Sequence, residues 1–200
     1  MSISSSIPIN PDIRATWKQP YRGTVGMGCV ILAESAIFII FVVAYIYYLG
    51  KSVTGPTPSQ VLELPVLGTI CLLSSSITAH LAVLSLRKQS NRRCTAFLAA
   101  TVLLGAIFIA TTAREWYHLI HDVGLTLKTN LFGTTYYALV GLHATHVVVG
   151  LTMLSVALIA SLVGAVNQTH AEKLEVLSLY WHFVDAVWVV VFLVVYVLGR

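Results

Sequence analysis

Glu34 lies about ten residues into the first apolar run, roughly 15 Å deep at the helical rise per residue. An acidic group at that depth costs about 2.5 to 3.5 kcal/mol on insertion scales, so Glu34 either carries its proton or finds a polar partner. Two readings stay open: a proton-active or lipid-facing carboxylate, or a neutral hydrogen-bonded acid that helps helices pack. Further along, Gly141-Leu-His-Ala-Thr-His146 sets His143 and His146 on one helical face, a spacing able to ligate a metal. The segment lacks the glutamate of a zincin motif, and the chain lacks the paired Glu-x-x-His helices of a carboxylate-bridged di-metal bundle. A bundle haem would need one histidine from each of two helices, with His182 as the sensible partner for His143 or His146. Inter-helix hydrogen bonding by neutral imidazole is the simpler expectation, and no metal ligand is assigned.

Tyr180-Trp-His-Phe-Val-Asp-Ala-Val-Trp188 opens the last apolar run. On a helix, Trp181, Val184, Asp185 and Trp188 share a face, and His182 lies one turn from Asp185, close enough to pair with it. A buried aspartate needs a partner, so this pair is expected either to lock two helices or to relay a proton. Asp185→Ala is then expected to disrupt the fold by leaving His182 unpaired. Arg114-Glu115-Trp116-Tyr117 reads as an interfacial anchor closing the third helix, and His80 in the second helix reads as structural. There is no dinucleotide fingerprint, P-loop, nucleophile elbow or Cys-x-x-Cys-His attachment site.

The elements that must position these residues follow from composition. Of 200 residues, 57% are hydrophobic and 10% charged, against about 25% charged in a soluble domain. The fold class is therefore an all-α integral membrane protein. The apolar runs predict a bundle of five transmembrane helices at about 24–49, 65–86, 94–117, 136–163 and 176–198, after an N-terminal interfacial arm over 1–23. Pro65 suits a helix start. The arm has no apolar core of the kind a cleaved signal peptide needs, and its Trp17 and Lys18, with Arg22, stand where they could contact lipid phosphates. Small residues such as Ser74, Ser75, Gly105, Gly141 and Thr145 favour close helix packing. Three basic residues in the arm, the cluster Arg87, Lys88, Arg92 and Arg93, and Lys173 outnumber Lys51, Lys128 and Arg200. This places the N-terminus in the cytoplasm and the C-terminus outside. The +4 charge is thus explained by topology, and nucleic-acid binding is set aside. Cys29, Cys71 and Cys94 are scattered and read as packing residues.

Several segments, in order, resemble subunit III of the haem-copper respiratory oxidases, in both the cytochrome c and quinol branches. The Tyr180–Trp188 stretch is similar to that family's last-helix signature, and Gly141 to Val147 followed by Gly150 to its Gly-x-His-x-x-His-Val motif. Ala33-Glu34-Ser35 resembles its membrane carboxylate segment, Leu62-Glu63-Leu64-Pro65 and Ser74 to Thr78 its next helix, and Arg114-Glu115-Trp116 its Glu-aromatic pair. The match is to the five-helix bacterial form. It implies a non-catalytic subunit with no haem or copper of its own, those groups residing in the partner catalytic subunit. Such a chain contacts oxidase subunit I and other oxidase subunits and binds phospholipid in a cleft. It supports proton uptake and stability of an oxygen-reducing, proton-pumping complex in the bacterial plasma membrane. On that resemblance Glu34 is the proton or lipid-cleft carboxylate, while His143, His146, Trp181, His182, Asp185, Trp188, Glu115 and Glu63 are motif residues that stabilise the bundle. Ala144 and Thr112 depart from the pattern, where glycine and glutamine are common, and also fit the small subunit associated with nitric oxide reductases. Two readings of other classes are a self-contained bis-histidine haem or metal membrane protein and a proton-coupled transporter using Glu34.

Overall fold

The computed structural model describes residues 21–52 and 55–199; Trp17 and Lys18 lie outside them. Five helices are long and apolar enough to cross a membrane. They are α1 (Arg22–Tyr48), α2 (Val66–Arg87), α3 (Asn91–His121), α4 (Leu131–Leu162) and α5 (Ala171–Phe192), the last continuing as wider π-type turns over Leu193–Leu198. One helical turn at Pro58–Val61 lies between α1 and α2.

Three helices start earlier than apolar character alone suggests, because polar residues initiate them. α3 begins at Asn91, ahead of the 94 expected, so Arg92 and Arg93 sit on its first turn. The α2–α3 connection is only Lys88 to Ser90, with Gln89 in the left-handed region at φ 58°. α4 begins at Leu131 because the Asn130 side chain accepts from the Gly133 backbone N–H at 2.8 Å, a side-chain N-cap. α5 is preceded by a 3₁₀ turn at Gln168–His170, whose entry is capped by Asn167. α3 also runs on past 117, its last turn carrying a His118–Asp122 pair at 2.6 Å.

α2 and α3 form the most intimate pair. α2, α3, α4 and α5 close a four-helix ring, and α1 leans on α4 and α5. With only Phe38 and Tyr45 buried, α1 is the least enclosed span. The ring closes on Trp181. Its indole is fully buried, and a Cβ added at Gly105 of α3 or Gly150 of α4 would come within 3.1 and 2.8 Å of its ring. Its Nε1–H donates to Ser75 Oγ of α2 at 2.9 Å, and Ser75 in turn donates to the Leu72 carbonyl. One side chain on α5 thus touches the other three helices of the ring. Two turns on, Trp188 repeats the device: Nε1–H donates to Thr69 Oγ1 at 3.1 Å, and the ring meets Phe108 of α3 edge-on at 4.8 Å. Thr69 also donates to the Pro65 carbonyl, so both hydroxyls are fully used. Tryptophan needs this arrangement because its large apolar body carries one N–H that must find an acceptor when buried.

Gly150→Ala is therefore expected to destabilise by about 1 to 3 kcal/mol, because a rigid indole cannot retreat from the new methyl. Gly26→Ala, where a Cβ meets nothing within 4 Å, should not destabilise and gains the helix preference of alanine. Ser75→Ala strands a buried indole N–H and should cost about 1 to 3 kcal/mol. Thermal unfolding in detergent, comparing the three variants with the parent chain, reads all of these; equal midpoints for Gly150→Ala and Gly26→Ala would refute the wedge.

Candidate functional site

The membrane carboxylate is positioned by α1, on which Glu34 stands about 18 Å along the axis from Arg22. Its Oε2 lies 3.1 Å from His146 Nε2 on α4. The other ring nitrogen, Nδ1, lies 2.8 Å from the Leu142 carbonyl, an acceptor only, so Nδ1 carries a hydrogen. A neutral imidazole then has a bare Nε2, and the contact with Glu34 is made by one shared proton. Either Glu34 donates as a carboxylic acid, or a carboxylate accepts from an imidazolium. Both forms are neutral overall, which removes much of the cost of an isolated charge at this depth. The pair is half-buried: the His146 side chain is 14% exposed and that of Glu34 30%. Phe38 covers it from α1, its ring 4.9 Å from the His146 ring, and the Tyr180 hydroxyl of α5 donates to the His146 carbonyl at 3.4 Å. The arrangement is a half-buried acid–imidazole contact between α1 and α4 within the apolar helices.

The two motif histidines part company. His143 is buried and neither ring nitrogen makes a hydrogen bond, contrary to the expected inter-helix bonding. Its ring stacks on Trp188 at 5.1 Å and meets Phe108 edge-on at 5.9 Å, so aromatic packing replaces hydrogen bonding.

The expected His182–Asp185 pair does not form. His182 Nδ1 lies 2.5 Å from Ser76 Oγ of α2 and Nε2 lies 3.1 Å from Ser178 Oγ, one turn back on α5. Asp185 is 3% exposed, and neither carboxyl oxygen reaches a hydrogen-bond partner, although it lies beside Ser76. The reason is that both imidazole nitrogens are taken by hydroxyls, a donor supply the last helix alone does not reveal. Asp185→Ala therefore leaves the two bonds of His182 in place. His182 is held by Ser76 and Ser178, His146 by Glu34 and Leu142, and His143 by aromatic rings; the three do not present the facing pair a bis-histidine haem requires. Among the described residues, no three His, Cys, Asp or Glu side chains converge as a metal-binding group.

At the opposite end from the basic residues, Glu115 turns into the bundle instead of anchoring α3 at the surface. It accepts from Tyr196 Oη at 2.9 Å and from Tyr136 Oη at 3.3 Å, linking α3, α4 and the end of α5. An open cleft of about 630 Å³, lined by Glu63, Pro65, Arg114, Glu115 and His118 among others, lies against it. Arg22 is exposed at the start of α1. Sequence reading passed over Ser76, Ser178, Tyr136 and Tyr196. The two tyrosines carried a usable signal, since a phenol within an apolar run needs a partner; serines in a small-residue helix carried none.

The chain is similar to known proteins along most of its length. A profile of cytochrome c oxidase subunit III matches residues 21–200. The cytochrome c oxidase subunit 3 of Alkalihalophilus pseudofirmus is 33% identical over 198 residues, covering 98% of this chain and 95% of the relative. That of Synechocystis sp. is 38% identical over 177 residues, covering 86% and 74%. The cytochrome bo(3) ubiquinol oxidase subunit 3 of Pseudomonas aeruginosa is 33% identical over 176 residues, covering 87% and 84%. With a family profile spanning all five membrane helices and such relatives along nearly its whole length, this multi-pass membrane chain belongs to the cytochrome c oxidase subunit III family.

Proposed function

We propose that the chain is the non-catalytic third subunit of a proton-pumping haem-copper terminal oxidase in a bacterial plasma membrane. On this reading haem and copper stay in the partner catalytic subunit, subunit I. The chain then serves as a lipid-binding flank that supports proton uptake and the durability of the complex. The observation that carries the reading is the Glu34–His146 pair. A one-proton, neutral pair that opens sideways in the membrane suits a proton-active wall and not an electron carrier. The wide apolar exterior, with Leu32, Ile39 and Ile40 of α1 mostly exposed, suits contact with acyl chains and neighbouring helices.

The orientation follows the charges. Arg87 pairs with Glu175, and Gln89 Nε2 donates to Gln168 Oε1 at 2.8 Å, so the α2–α3 and α4–α5 connections lie at one end of the bundle. That end gathers Lys88, Arg92, Arg93 and Lys173 and is the cytoplasmic one. Arg22 at the start of α1 belongs to the same end and, with Trp17 and Lys18, is proposed to meet lipid phosphates. Glu115 and Glu63 then lie at the outer end. His143, His182, Asp185, Trp181 and Trp188 have the role of holding the ring together.

Two measurements test this. A mild-detergent pull-down of the chain from native membranes should bring down larger, haem-containing subunits whose colour stays with them when this chain is stripped off. A coloured chain eluting alone would favour a self-contained haem protein, and a colourless lone chain a transporter. Within the complex, Glu34→Gln keeps a hydrogen bond to His146 but cannot share a proton, so assembly should be unchanged while oxidase turnover or working lifetime falls. Glu34→Leu should in addition loosen α1 by about 0.6 to 1.7 kcal/mol, the range of an inter-helix polar contact in a membrane. Parent-like turnover and lifetime in both variants would remove Glu34 from any proton role.

A further inference from the structure

The outer face of α2 carries a pattern that the bundle uses only at its basic end, where Leu84 is half-buried and Arg87 pairs with Glu175. Ile70, Leu73, Ile77, His80, Leu84 and Arg87 follow one another at spacings of three and four residues, the repeat of a helix seam that receives a second helix. Ile70 and Ile77 are 58% and 65% exposed. His80 is exposed on the same line. It is about seven residues, or roughly 10 Å, in from the basic end of α2, within the hydrocarbon layer.

An exposed imidazole at that depth distinguishes this seam from the other apolar faces of the molecule. Acyl chains offer it neither donor nor acceptor, and polar groups within membrane spans face protein or water-filled space rather than lipid. Among the described residues, His80 makes no hydrogen bond. The His182 ring lies beside it, the ring centroids 6.3 Å apart, with both nitrogens of that ring already engaged by Ser76 and Ser178. Polar residues that stand singly in an apolar seam fix which partner docks and in which register.

We infer that the α2 seam centred on His80 docks a transmembrane helix of a partner oxidase subunit. That helix presents a hydrogen-bonding side chain, a carboxylate, amide or hydroxyl, at the level of His80. The seam spacing implies a shallow, left-handed crossing of about 20°. His80 is then the register-setting contact, and Ile70, Leu73, Ile77 and Leu84 provide the close packing around it.

This rests on the accessory-subunit reading, and the test separates the two. A photoreactive phenylalanine analogue is placed at Ile77 and, as a control on α3, at Leu103, which is 62% exposed. Cells carrying the tagged chain are irradiated before the complex is purified. The expected result is an adduct of this chain with one larger subunit from Ile77 and not from Leu103. That adduct should fall about threefold when His80→Leu is added, the weight of one inter-helix hydrogen bond in a membrane. His80→Gln, which keeps a donor and an acceptor, should restore it. If the haem-containing subunits co-purify but Ile77 captures only lipid, or a second copy of this chain, the seam assignment is overturned and the accessory reading stands. If no larger subunit co-purifies, both fall.

Discussion

The bundle depends on satisfying a buried indole in a medium that offers no water. Trp181 has one donor and a large flat surface. The ring that receives it supplies one acceptor, Ser75, and two bare backbones, Gly105 and Gly150. None of these contributions works without the others. Larger residues at either glycine would push the indole away from Ser75, and a non-acceptor at 75 would leave its N–H exposed to hydrocarbon-like surroundings. Trp188 and Thr69 repeat the pairing nearer the Glu115 end, which fixes the direction of α5 against α2 and not only its contact point.

The Glu34–His146 contact has a different character because α1 is not part of that ring. With few buried side chains of its own, α1 is fastened to α4 and α5 chiefly by Phe38, Tyr45 and the acid–imidazole pair. A shared proton lets the pair exist in either of two forms without a change in net charge, so the fastening tolerates movement of the proton that a fixed ion pair would resist. An acid on the least enclosed helix also keeps part of its surface open, with the Glu34 side chain 30% exposed. Structural attachment and access are served by the same two side chains.

Helix number and type were legible because length and hydropathy decide them: five apolar runs gave five spans, and the face uniting Trp181, Val184, Asp185 and Trp188 is buried as helical spacing requires. Starts were less legible, since Asn130 caps α4 and Asn167 caps the turn ahead of α5, while α3 begins on the polar Asn91-Arg92-Arg93 run, none of which hydropathy sees. Of the polar residues, depth marked Glu34 as needing a partner but could not name it, because His146 is distant in sequence and which helices become neighbours is a property of the packed bundle. His182 was misjudged for the same reason. Asp185 was near along the helix, but Ser76 on a neighbouring helix proved the better-placed partner.

A general constraint ties these cases together. In a membrane, apolar faces gain little by choosing each other over lipid, so close packing and a few polar contacts decide which helices become neighbours. Here most neighbouring pairs have such a contact: Thr78 with Thr101 between α2 and α3 at 2.8 Å, Thr95 with Ser161 between α3 and α4 at 2.7 Å, Trp181 with Ser75 between α5 and α2, and Glu34 with His146 between α1 and α4. Glu115 joins three helices at the end away from Arg87 through Tyr136 and Tyr196. The contacts between neutral hydroxyls lie within the ring, where glycine and small residues bring backbones together. The contact that shares a proton lies outside it, between the ring and α1. The ring holds ionisable groups of its own in Glu115, His182 and Asp185, but none of them touches the Glu34–His146 contact, so a change at Glu34 acts first on the attachment of α1.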